Sequence, residues 1–104
     1  MKIFVVQWEE KERGWGNRPD GWSLHVSADE YHRYAEQYRN SLPQPLPEEY
    51  SVPVESSGLR AVDVPEDHAI ARALAASKSL RFQQYDDASY ALEKLLGISR
   101  SMPK

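Results

Sequence analysis

The sequence contains no cysteine, which excludes disulfides, thiolate-bound zinc and thiol nucleophiles. It contains no long hydrophobic run either. The opening apolar stretch, Ile3 to Val6, ends at Gln7. That is too short for a secretion signal and far short of the roughly 20 apolar residues a membrane-spanning helix needs. An excess of basic charge is also missing: 13 Lys and Arg against 16 Asp and Glu leave a formal charge of −3. General DNA or RNA binding needs a positive stripe to neutralise phosphates, so this balance argues against it. No phosphate-cradling glycine loop, nucleophile elbow or helically spaced histidine pair occurs. The expectation is a non-enzymatic protein without cofactor or metal, located in the cytoplasm.

What is present describes a folded domain. The 104 residues, 40% hydrophobic and 11% aromatic, suffice for one domain burying roughly two-thirds of its unfolded surface. That domain is expected over residues 1–98, with 99–104 as a loose tail. Ile3 to Glu9 is rich in β-branched and aromatic residues and predicts a strand with apolar residues on both faces. Trp22 to Val26 predicts a second, in which Trp22, Leu24 and Val26 alternate with a wetter Ser23 and His25. Between them Arg18-Pro19-Asp20-Gly21 has the chemistry of a type I turn.

Ser27-Ala28-Asp29-Glu30 matches a capping box. Behind it Tyr31, Tyr34, Ala35, Tyr38 and Leu42 form one helical stripe that Pro43 ends. Pro43, Pro45, Pro47 and Pro53 make the next stretch an extended connector. Val52 to Glu55 predicts an edge strand, Ser56 to Gly58 a turn, and Leu59 to Val64 a further strand. A second helix is expected to open near Pro65, with Ile70, Ala73, Leu74 and Ser77 inward. Leu80 to Tyr85 predicts another strand. A last helix capped at Asp86 or Asp87 should bury Ala88, Ala91, Leu92, Leu95 and Leu96 and stop at Gly97. This order predicts an α+β fold: a small mixed sheet opening with an antiparallel hairpin, and about three helices packed mainly on one face. The later strand units are open to parallel crossovers.

Few residues stand outside these packing rules. Trp15 lies between two glycines in no alternating run, close to Arg13 and Arg18, which is the composition of a binding hot spot. It equally suits a platform on which a base stacks while arginine meets phosphate. Trp22, by contrast, is expected to enter the core. His25 and Arg33 complete the candidate partner-binding set of Trp15, Arg18, His25, Arg13 and Arg33. A metal site would require His25, His32 and His68 to converge with Asp29 or Asp67, and their spacing does not suggest it. The only catalytic assembly that can be written uses His25 as base with Asp20 or Asp29 orienting it, and no motif accompanies it.

The run KIFVVQW, then GWGNRPDGWSLH, a capped acidic helix and LPEEYSVP, resembles small accessory proteins encoded by tailed bacteriophages and prophages. The likeness covers about the first half of the chain, and RPDGWSLH is its most specific part. It carries over no catalytic residue. What it implies is a context: such proteins often bind and block a host factor, immune machinery included, in the host bacterial cytoplasm. A host protein is therefore the expected partner, with a nucleotide-type signal, held by aromatic and arginine side chains, as the alternative ligand.

Overall fold

The computed structural model describes residues 1–54, 58–84 and 86–97. In chain order the elements are β1 (Lys2–Glu12), β2 (Gly16–His25), α1 (Ala28–Ser41), β3 (Glu49–Pro53), β4 (Arg60–Asp63), α2 (Ala69–Ser77), β5 (Ser79–Phe82) and α3 (Asp87–Leu96). The fold is α+β, and the described residues form a five-stranded sheet with three helices. Among the described residues every strand pairing is antiparallel, so the units left open to parallel crossovers also run antiparallel and the sheet is not mixed. β1 organises it. One edge of β1 pairs with β2. The other is shared, β4 covering Lys2 to Val5 and β3 covering Trp8 to Glu12. β5 closes the far side of β2 from Trp22 to His25.

The double-sided apolar pattern of β1 has a direct structural counterpart. Ile3 and Val5, with Leu24 of β2, pack against Ile70, Ala71, Leu74, Leu92 and Leu96 from α2 and α3. Val6 and Trp8, on the opposite face, pack against Tyr31 and Ala35 of α1. Two of the three helices thus share one face and α1 takes the other, because both faces of β1 are apolar and each must be covered.

Local signals place the helix ends. Ser27 Oγ accepts from the Glu30 amide at 3.1 Å, one half of the predicted capping box. The Glu30 carboxylate meets Arg33 at 3.2 Å. α3 stops at Gly97, whose φ of 73° is the left-handed conformation glycine adopts without strain. α2 begins later than Pro65 suggested. Pro65 to Asp67 form a preceding turn, and the helix is capped by His68, whose Nδ1 accepts from the Ile70 amide at 3.1 Å. Of the residues expected inward, Ile70 and Leu74 are buried, with Ala71 beside them, while Ala73 and Ser77 are exposed. In α3 the inward residues are Ser89, Leu92, Glu93 and Leu96, and Ala91 is exposed. Glu55, Ser56, Ser57, Tyr85 and the predicted tail lie outside the described residues.

The predicted turn at Arg18 to Gly21 is instead strand. The chain reverses earlier, over Arg13-Gly14-Trp15, where the Trp15 amide donates to Glu12 O at 3.0 Å. Pro19 pairs with Glu9 where β5 has not yet begun, so β2 has one neighbour there and the missing amide hydrogen costs no interior ladder bond. Between the Gln7–Trp22 and Glu9–Pro19 pairs β2 carries one extra residue, a bulge that uses the positive φ of Gly21, 82°. Pro-Asp-Gly therefore bends a strand here rather than closing a hairpin.

Candidate functional site

Trp15 is 86% exposed at the tip of the β1–β2 hairpin. Gly14 and Gly16 flank it with φ of 82° and 85°, and a Cβ on either would meet nothing within 4 Å. The indole is therefore carried on an open loop with no packing role. Trp22 behaves oppositely. It is half-buried against the α2–α3 core, and its Nε1 donates to Glu93 Oε1 at 3.1 Å. Trp22 enters the core as the alternation of β2 predicts, and Trp15, which lies in no alternating run, does not.

Arg13 is exposed in the turn and its amide donates to Glu48 O at 2.9 Å, tying the tip to the chain entering β3. Arg18 is exposed but engaged. Its guanidinium pairs with Glu10 at 3.0 Å and also with Glu12, and the hydrogen bond to Glu10 raises its pKa further. Glu49 lies opposite Glu12 across the β1–β3 ladder, and the negative charge of Glu12 pushes the Glu49 carboxyl above its ordinary pKa. Sequence reasoning missed these carboxylates because it ended the first strand at Glu9. Once the strand runs to Glu12, the two-residue spacing of Glu10 and Glu12 puts both on one face. Arg33 does not join this group. It lies on α1, beside a surface hollow shared with Glu30, Gln37, Ser77 and Ser79.

His25 is corrected outright. It was expected to be available to a partner, yet it has no exposed surface. Alternation correctly put it on the face opposite Leu24, but α1 covers that face, with Tyr31 and Tyr34 rings 5.2 and 5.3 Å from the imidazole. A chain of hydrogen bonds holds it. Trp8 Nε1 donates to Ser23 Oγ at 2.7 Å, Ser23 Oγ is 2.7 Å from His25 Nε2, and His25 Nδ1 is 2.8 Å from Ser79 Oγ. An indole N–H can only donate, so Ser23 accepts from it and sends its own proton to Nε2. The remaining ring proton sits on Nδ1 and is donated to Ser79. The opposite tautomer would leave the buried Ser23 proton without an acceptor, at a cost of about 1–3 kcal/mol.

This order decides the chemistry. The imidazole lone pair faces Ser23, which is fully buried and inaccessible to any substrate, while Ser79 faces an N–H and gains no basic partner. Asp20 is used elsewhere, accepting from Arg81 at 2.9 Å and from Ser51. Nor do the histidines converge: His25 is buried under α1, His68 caps α2 and His32 is exposed on α1. Among the described residues, the carboxylates of Glu10, Glu12 and Glu49 form the one group of three or more metal-ligating side chains close enough to share an ion.

Burial lowers the His25 pKa from 6.5 to about 4. Between those values the unfolded chain binds a proton that the folded protein refuses. Stability is therefore full above pH 6.5 and falls as pH drops toward 4, by about 3 kcal/mol over the interval. Urea unfolding across this range should show that slope in the native protein, whereas His25→Gln should lose about one proton of linkage. Identical pH profiles for the two would overturn the buried, neutral assignment.

Comparison with family models, with curated proteins and with solved structures returns no match.

Proposed function

We propose that this is a small non-enzymatic binding protein whose β1–β2 hairpin docks on another protein and inhibits or redirects it. The observation that carries the reading is Trp15, 86% exposed on a loop fixed to a rigid sheet. Large aromatic side chains on such supports dominate protein–protein contacts, and ordering them on binding costs little entropy. The tyrosine stripe of α1 is a weaker contender, because Tyr38 packs edge-on against Trp8 at 4.9 Å and its hydroxyl donates to Ser51 O at 2.6 Å. The likeness to phage accessory proteins adds the context of a host bacterial factor, with anti-defence inhibition as the particular case. Among the described residues no helix is long and apolar enough to cross a membrane.

A nucleotide-type ligand is the second reading. It needs an arginine free to meet phosphate beside Trp15; Arg18 is committed to Glu10 and Glu12, which leaves that role to Arg13, exposed in the same turn. Thermal shift against cyclic and linear nucleotides tests it. A ligand at about a hundred times its Kd adds roughly 2.7 kcal/mol of stability.

For the main reading, Trp15→Ala should leave the melting temperature unchanged. It should weaken capture of the partner from bacterial lysate by about 2 kcal/mol, close to 30-fold. A variant that binds as tightly as the native protein would remove Trp15 from the site.

A further inference from the structure

The surroundings of Trp15 specify what kind of partner surface it meets, an inference that rests on the hairpin being the docking edge. Its loop is fastened at both ends to acidic positions. The Trp15 amide donates to Glu12 O at 3.0 Å and the Arg13 amide to Glu48 O at 2.9 Å. Glu12 stands opposite Gly16 on one side and Glu49 on the other. Directly opposed residues share a sheet face, and Glu10, Glu12 and Glu49 bring carboxylate oxygens within 4.8 Å of one another. Against these three carboxylates stands one guanidinium, that of Arg18, which pairs with Glu10 and Glu12. Among the described residues no salt bridge reaches Glu49.

The base of the loop therefore carries surplus negative charge at close quarters. Like charges packed this tightly repel, and burial among other protein groups does not explain the arrangement, since Glu49 is exposed. An approaching cation relieves the repulsion and forms charge-assisted hydrogen bonds with the carboxylates. The exposed indole of Trp15, carried on the loop that follows Glu12, is the other common receptor for a cationic side chain, through its quadrupole. Phosphate, by contrast, meets repulsion from the same three groups.

We propose that the hairpin end receives a cationic segment of its protein partner. Arginine or lysine heads are taken by Glu10, Glu12 and Glu49, and their stems or guanidinium planes lie on Trp15. Electrostatic complementarity of this kind speeds encounter and rejects acidic surfaces, and it weakens with salt.

The test uses the full chain with nitrogen-15-labelled tryptophan and a short oligo-arginine peptide as probe, with oligo-glutamate and ATP as comparators. The expected result is a saturable shift of the Trp15 indole signal with oligo-arginine alone, stronger at low salt, while Trp8 and Trp22 stay in place. Glu12→Gln with Glu49→Gln should weaken the peptide by about tenfold at unchanged melting temperature, and Trp15→Ala should weaken it as much. No shift with oligo-arginine, an equal shift with oligo-glutamate or ATP, or full affinity in the double glutamine variant would each overturn the cationic assignment. If the peptide fails while Trp15→Ala still abolishes partner capture, the docking edge stands and only the chemistry assigned to its partner falls.

Discussion

Gly21→Ala is expected to destabilise the protein by more than about 4 kcal/mol, enough to unfold a domain of ordinary stability. Two effects add. Gly21 holds a φ of 82°, where an alanine side chain is strained by about 1–2 kcal/mol. A Cβ there would also lie 2.0 Å from Phe82 O, 2.7 Å from Gln83 C and 2.9 Å from Gln83 Cα. All three are main-chain atoms at the end of β5, so no side-chain rotation makes room. Relief requires β5 to move away from β2, breaking the Trp22–Phe82 register and the Gly21 amide bond to Gln84 Oε1 at 3.1 Å. Gly14→Ala supplies the control. Its φ is also 82°, but a Cβ there meets nothing within 4 Å, so only the conformational cost of about 1–2 kcal/mol should appear. Urea titration of the two variants measures the difference, and equal losses would contradict the close approach at the bulge.

Trp8→Ala should cost about 3–5 kcal/mol, the range for removing a fully buried large aromatic. Trp8 has no exposed surface and joins the sheet to α1. Its ring meets Tyr34 and Tyr38 edge-on at 6.2 and 4.9 Å, and the Arg81 guanidinium lies 4.6 Å from its centroid. The indole N–H also starts the hydrogen-bond chain through Ser23 to His25 and Ser79. Loss of the ring leaves a cavity beneath α1, and loss of the donor leaves Ser23 accepting from nothing. Trp8→Phe separates the terms: it retains most of the ring and should lose only about 1–3 kcal/mol. Denaturation curves give both values. Amide exchange should show α1 losing protection before α2 and α3, because Trp8 packs on the α1 side alone.

Much of the architecture was legible in the residues that carry strong local rules. Ser27 with Glu30 marked the start of α1 and Gly97 the end of α3, while the apolar residues on both faces of β1 are matched by helices on both sides of the sheet, where one face was expected to take most of them. The hairpin turn was misplaced because Pro19, Asp20 and Gly21 suit a bulge as well as a turn, and only the pairing with β5 separates the two. His25 was misjudged for a related reason. Period-two alternation tells which side chains share a face but not which face an incoming helix will cover. α1 begins only three residues later and folds back over Ser23 and His25, turning the polar face of β2 into a buried network. The carboxylates around Arg18 were hidden by a strand boundary drawn three residues short at Glu9. Trp15 was found because no packing rule accounted for it, and the fold gives it none.

The hairpin end as docking edge is the central claim. The most direct measurement places a photo-crosslinking amino acid at residue 15, with Tyr90 and Arg33 as exposed positions for comparison. Irradiation in bacterial lysate at low salt should give one adduct of defined mass from residue 15. That adduct should fade as salt rises, and neither comparison site should give it. Adducts from residue 90 or residue 33 with none from residue 15, or equal labelling at all of them, would contradict the account.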